Sequence, residues 1–166
     1  MTTTKPNIFV LDSTVFIGLD FPFLQEWKNA IFFTTSTVVS ELKDIRSKMN
    51  YDIFRQSGNL RLNDPHPELL TEIKRRIEKF DPKTSLSLID IDILVLTLQL
   101  KGTLITNDLL LQNAASYLNV PIRVVSGKKI VQTRKWVLKC ESCGKKADKR
   151  EIACLHCGGH LKRVPK

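Results

Sequence analysis

Apolar and polar positions follow two rhythms along this chain. Short apolar runs bounded by turn residues read as strands, and apolar positions three or four apart read as helices. "NIFVLD" (Asn7–Asp12) predicts a buried strand ending on an acid. "FPFLQEWKNAIFFTT" predicts a short helix and then a strand around Ile31–Thr34. "STVVSELKDIRSKM" reads as one helix with Ser36 or Thr37 as N-cap. "NYDIFRQSGNLRLNDPHP" reads as partly irregular, with Gly58 and the prolines at 65 and 67 as breakers. "PELLTEIKRRIEKF" is amphipathic, with Leu69, Ile73, Ile77 and Phe80 on one face. An apolar helix then runs from about Ser87 to Lys101, with Gly102 ending it. "TLIT", "NDLLLQNAASYLN" and "PIRVV" predict strand, helix and strand. Strands alternating with helices imply a layered α/β domain with a parallel sheet over residues 1–125. A linker of residues 126–137 and a small module of 138–166 follow.

Acids interrupt this pattern where a carboxylate is costly. Asp12 ends the first strand, Glu41 lies in a helix, Asp90 and Asp92 sit in the most apolar helix, and Asp108 follows "TLIT". In an open α/β sheet, sites form beyond the carboxyl ends of the strands, where Asp12 and Asp108 fall. Crowded carboxylates repel one another and invite a hard divalent cation, Mg2+ or Mn2+. Each acid also has a local reading: Asp12 as a cap, Glu41 as a solvated residue, Asp90 as half of a Ser-x-x-Asp capping box, Asp108 at a helix dipole. Asp90 and Asp92 are about 200° apart around a helix, so both cannot enter one site. Asp90, nearer the helix start, is assigned to the cluster, and Asp92 to a solvent or helix-polar role.

The charge is uneven. The formal net charge of +9 lies wholly in residues 126–166, and residues 1–125 are neutral. A neutral body with a basic end fits a polyanionic partner. No run is long and apolar enough for a membrane helix, and the start lacks a signal-peptide pattern, so a soluble cytoplasmic protein without a membrane partner is expected.

The same basic segment holds every cysteine: Cys140, Cys143, Cys154 and Cys157, in two C-x-x-C-G turns. Two such turns can close a tetrahedral S4 site, which favours one structural Zn2+. So short a segment cannot bury enough core to fold alone, so the metal would supply its stability. Lys139, Lys145, Lys146, Lys149, Arg150, Lys162 and Arg163 would ring the turns as RNA-binding cations. His156 and His160 read as surface or polynucleotide-facing, and Trp136 as a base-stacking or boundary-packing ring.

"NIFVLDSTVFI", "VVSELKD", "SLIDIDILVLTLQLKG" and "LITNDLLLQNAA" resemble, in order, the four acidic motifs of PIN-domain nucleases. With the C-terminal four-cysteine ribbon, the chain resembles the Nob family, endoribonucleases that trim the 3′ end of small-subunit (16S) ribosomal RNA. The absence of long insertions resembles archaeal members. The resemblance implies a Rossmann-like sheet of about five strands and Mg2+- or Mn2+-dependent phosphodiester hydrolysis by Asp12, Glu41, Asp90 and Asp108 as catalytic and metal-binding residues. It also implies precursor rRNA and the precursor small ribosomal subunit as partners. Asn107 departs from the pattern: many PIN domains carry a second acid there. The competing readings are a toxin-type PIN ribonuclease and a non-catalytic RNA-binding assembly factor.

Overall fold

The computed structural model describes residues 7–18, 27, 29–81, 84, 86–126, 128–148 and 151–166. The short helix expected within residues 21–28 lies almost wholly outside them, as do Lys149 and Arg150. Five strands form a parallel sheet: β1 (Asn7–Leu11), β2 (Ala30–Thr34), β3 (Leu60–Leu62), β4 (Thr103–Ile105) and β5 (Ile122–Arg123). Their order is β3-β2-β1-β4-β5. Chain order therefore runs outward in one direction from β1 to β3 and in the other from β4 to β5. The switch point lies between β1 and β4, where ligand crevices open in such sheets.

Among the described residues, six helices complete this part: α1 (Ser13–Gly18), α2 (Ser36–Glu41), α3 (Ile45–Gln56), α4 (Pro67–Phe80), α5 (Leu88–Leu100) and α6 (Leu109–Tyr117). A helix apolar on all sides needs cover on all sides. α5 obtains it by lying on β1 and β4, with α2, α4 and α6 around it. Ile93, Leu94, Val95 and Leu96 are completely buried. Each contributes about 1.5–3 kcal/mol by leaving water. α4 is the amphipathic cover, burying Ile73, Ile77 and Phe80. Phe16, Phe32 and Phe54 join α1, β2 and α3 edge to face.

Four expectations change. The helix predicted across Ser36–Met49 is two helices, because Leu42 leaves helical geometry (ψ 97°) and Asp44 caps a new start by accepting from the Ser47 N–H at 2.8 Å. The first N-cap is Thr35, which accepts from the Val38 N–H, and neither Ser36 nor Thr37 serves. Residues 50–56, read as irregular, continue α3, and Leu60–Leu62 adds the edge strand β3, in which only Leu60 is buried. The left-handed residue closing α5 is Lys101 (φ 51°). Gly102 answers a different need: a Cβ there would stand 3.0 Å from Ile8 Cγ2 and 3.2 Å from the Ile8 carbonyl oxygen.

Residues 136–165 form a second, antiparallel sheet, β7-β6-β8, from β6 (Trp136–Cys140), β7 (Lys146–Ala147) and β8 (Leu161–Pro165). Among the described residues, no helix is long and apolar enough to cross a membrane.

Candidate active site and four-cysteine cluster

Parallel strands deliver their following residues to one edge of the sheet. Asp12 leaves β1 there, and Thr106, Asn107 and Asp108 leave the neighbouring β4. The Asp12 N–H donates to the Ile105 carbonyl at 3.1 Å, extending the ladder by one bond. Asp12 is 4% exposed, and both of its carboxylate oxygens accept hydrogen bonds. Oδ1 accepts from the Ser13 N–H at 2.7 Å, and Oδ2 accepts from the Thr14 and Thr106 hydroxyls, each at 2.8 Å. Both threonines are themselves oriented. Thr14 Oγ1 accepts from the Asn107 N–H at 3.0 Å, and Thr106 Oγ1 accepts from the Asp108 N–H at 3.0 Å. A hydroxyl that accepts from an amide has its single hydrogen left to give, and here both give it to Asp12.

Asp90 arrives from the start of α5. Its Oδ2 accepts from the Ser87 N–H at 2.8 Å while Ser87 Oγ accepts from the Asp90 N–H at 3.1 Å, a complete capping box. Burial pushes the Asp90 carboxyl above the usual carboxylate range. The Ser87 bonds oppose this, and the charges of Asp12 and Asp108 add to it. The capping reading holds, since one oxygen caps, and the group still feels the charges of the two strand-end acids. Asp108 caps α6, with Oδ1 accepting from the Leu110 N–H at 2.7 Å. Glu41 is exposed at the last position of α2 and, among the described residues, shares no hydrogen bond with the other three. Asp92 turns the other way. Its Oδ2 accepts from the Thr37 hydroxyl at 3.1 Å, and the nearby Asp64 charge reinforces the upward shift that burial causes.

The structure thus gathers Asp12, Asp90 and Asp108 electrostatically without closing them into a cage. Among the described residues, the four cysteines are the one set of three or more His, Cys, Asp or Glu donors lying within 4.8 Å of one another. The acid cluster fits a Mg2+-like ion even so. Such an ion keeps several waters and takes one or two carboxylates, and Asp90 and Asp108 each commit only one oxygen to a cap.

The cysteines form a tighter site. Cys140 and Cys157 Sγ are 3.5 Å apart, and Cys143 and Cys154 Sγ are 3.6 Å apart. Tetrahedral zinc with Zn–S bonds of about 2.3 Å spaces its sulfurs by about 3.8 Å. Gly144 and Gly158 take φ of 71° and 70°, which lets each turn close. The Cys143 N–H points at Cys140 Sγ and draws its thiol down to about 6. The module's buried cluster is Cys140, Cys154 and Leu161, and β6 also buries Leu138, so two of the cysteines belong to its small core.

The basic residues separate by strand parity. Lys139 stands opposite Lys146 on one side and Lys162 on the other, an exposed row of three ammonium groups. Like charges directly opposite one another destabilise a sheet, so this row favours an anionic partner. Glu141 offsets Lys162 at 3.3 Å and meets His160 at 3.2 Å. Lys145 is exposed beside the first turn. Arg163 points away from the lysine row. It pairs with the buried Asp81 at the end of α4 and lies 4.2 Å over the Trp136 ring. Its expected RNA-facing role changes accordingly, because its guanidinium joins the ribbon to the body. Trp136 packs at the boundary under the Arg163 guanidinium and also lines an open groove.

A family model described as "PIN domain of ribonuclease" matches residues 9–100. "Endoribonuclease Nob1" of Pyrococcus abyssi is 31% identical over 160 residues, covering 95% of this chain and 93% of that protein. The chain belongs to the Nob1 family of PIN-domain endoribonucleases. The Nob1 likeness extends to "20S-pre-rRNA D-site endonuclease NOB1" of Saccharomyces cerevisiae, 28% identical over 106 residues, 64% of this chain and 23% of that protein. Among solved structures, VapBC2 from Rickettsia felis bound to a promoter DNA fragment superposes with a TM-score of 0.53 at 17% identity. It covers 70% of this chain and 98% of that one, and shows the fold alone.

Two residues that hold the Asp12 carboxylate escape a search for acids: Thr14 and Thr106. The signal was present, since both lie within two residues of a strand-end acid, in "LDST" and "LITND". Asn107, where many PIN domains carry an acid, is a structural clamp here. Its Oδ1 accepts from the Val125 and Ser126 N–H groups at 3.2 and 3.1 Å.

Proposed function

We propose that this protein is a metal-dependent endoribonuclease that matures the 3′ end of the small-subunit (16S) rRNA precursor in the cytoplasm, acting on the precursor small subunit. The gathering of Asp12, Asp90 and Asp108 at the switch point of a Nob1-family sheet carries the reading. The name of the yeast relative, a 20S-pre-rRNA endonuclease, supports the rRNA substrate, and the exposed row Lys146–Lys139–Lys162 supports a polyanionic one.

Asp12, Asp90 and Asp108 would hold Mg2+ or Mn2+, with Glu41 reaching in from the end of α2. The ion, when bound, activates water and offsets charge on the phosphate during hydrolysis. Thr14 and Thr106 fix the Asp12 carboxylate in one orientation by donating to it. Asp90 and Asp108 are fixed by their caps, so the acids need little reorganisation when RNA arrives. The four cysteines would hold one structural Zn2+, and the domains divide as 1–125, 126–137 and 138–166. Lys139, Lys145, Lys146 and Lys162, with Lys149 and Arg150, would bind RNA.

The test is incubation of the protein and Mn2+ with a precursor fragment spanning the mature 3′ end, with the product ends mapped. One cut at the mature end supports the reading. Cleavage scattered along the fragment, or confined to tRNA or mRNA, would contradict it.

A further inference from the structure

Residues 128–135 carry no strand or helix, yet they are held in place along their length. The completely buried Gln112 donates through Nε2 to the Lys128 carbonyl at 3.3 Å and accepts through Oε1 from the Ile130 N–H at 3.0 Å. Asn113 donates to the Arg134 carbonyl at 2.9 Å and accepts from the Arg134 N–H at 2.7 Å. The Ser116 and Thr133 hydroxyls are 2.6 Å apart. With Asn107 holding residues 125 and 126, the polar side of α6 fastens this strap from end to end.

Strap and helix enclose a groove of about 490 Å³. Lys128, Lys129 and Arg134 line it, all exposed, and no acid does. Among the described residues none of the three is ion-paired with a carboxylate. Between the cations lie apolar side chains: Leu109 and Leu110 at 50% and 40% exposure, and Ile130 on the strap. Trp136 lines the groove as well, its ring fixed by the Arg163 guanidinium. Leu109, at one edge of the groove, directly follows Asp108, the N-cap of α6.

We propose that this groove is a subsite for single-stranded RNA flanking the scissile phosphate. The three cations take backbone phosphates, and the Leu109, Leu110, Ile130 and Trp136 surface takes unstacked bases. The proposal rests on the endoribonuclease reading above. It extends that reading to residues outside both the acid cluster and the ribbon's lysine row. Alternating cations with apolar and aromatic contacts suit single strands, whose bases are free to leave the stack. A duplex would meet only the cations.

The test uses the zinc-loaded full chain without added Mg2+ or Mn2+ and a fluorescein-labelled single-stranded RNA 12-mer, read by anisotropy. Replacing Lys128, Lys129 and Arg134 together by Gln should weaken binding tenfold or more and lower the slope of log K against log salt by about 2, at about 0.7 per phosphate contact. A 12-base-pair RNA duplex should lose much less. A second measurement needs no variant: acetylation of wild-type lysines, read by mass spectrometry, should show Lys128 and Lys129 protected by the 12-mer and Lys74 unprotected. Unchanged affinity and slope in the triple variant, or no protection of Lys128 and Lys129, would overturn the subsite while leaving nuclease activity untouched. Equal losses for single strand and duplex would overturn the single-strand assignment. A wild type that neither binds nor cleaves RNA would instead remove the reading beneath it.

Discussion

Thr106 holds Asp12. Its hydroxyl donates to Asp12 Oδ2 at 2.8 Å and accepts from the Asp108 N–H at 3.0 Å, so one side chain ties the Asp12 carboxylate to the Asp108 backbone. Thr106→Val keeps the shape and removes both bonds in a fully buried place. It should cost about 1–3 kcal/mol in denaturant unfolding, the penalty of leaving buried polar groups unpaired. Single-turnover cleavage should slow with little change in RNA affinity, and Thr106→Ser should recover most of the rate.

Asp90 makes the metal-free protein sensitive to pH. Its folded pKa lies above its ordinary 3.8, so the folded state holds that proton more tightly than the unfolded chain. Its contribution is favourable at low pH and declines as pH rises from about 3.8 through the folded value. Asp90→Asn keeps an oxygen for the Ser87 N–H and removes the charge. At pH 7 without divalent metal the variant should melt higher than wild type. Mn2+ should raise the melting temperature of wild type and leave the variant nearly unmoved. Thermal melts at several pH values, with and without Mn2+, check both.

Asp81 and Arg163 connect the two sheets. Burial raises the Asp81 pKa even though Arg163 pulls it down, and among the described residues Asp81 Oδ1 and Arg163 Nε lack hydrogen-bond partners. Such a pair adds little net stability, but breaking it on one side strands a buried charge. Arg163→Met should cost about 3 kcal/mol. Adding Asp81→Asn should return a large part of that loss, a coupling that a double-mutant cycle in denaturant measures.

Most of the fold was legible because buried strands and a wholly apolar helix leave strong periodic signals. The α2–α3 break was not, because Leu42 continues the apolar pattern and only the Asp44–Ser47 cap marks the restart. β3 escaped because an edge strand with one buried residue has almost no pattern to read. Asp12 and Asp108 could be placed from strand ends alone, and Asp90 was separated from Asp92 by helix geometry. Thr14 and Thr106 were passed over because hydroxyls carry no charge to mark them. Lys162 and Arg163 were grouped by charge, whereas strand alternation sends adjacent residues to opposite faces.

Zinc removal should act on one part of the chain. With Cys140 and Cys154 supplying most of the ribbon's buried cluster, chelation should unfold β6, β7 and β8. The parallel sheet keeps its own core and should persist. Amide exchange followed by mass spectrometry should show protection lost across residues 138–164 and retained in β1 and β4. RNA affinity should fall with the loss of the lysine row.

The most direct measurement is Mn2+-dependent, single-turnover cleavage of a precursor fragment spanning the mature 3′ end, by wild type and by Asp12→Asn. Asparagine fills the same space and removes the charge at the centre of the cluster. A site built around Asp12 predicts that the variant binds the fragment as wild type does and cuts it at least a hundredfold more slowly, on the order of 3 kcal/mol of transition-state stabilisation. Cleavage at the wild-type rate would contradict it.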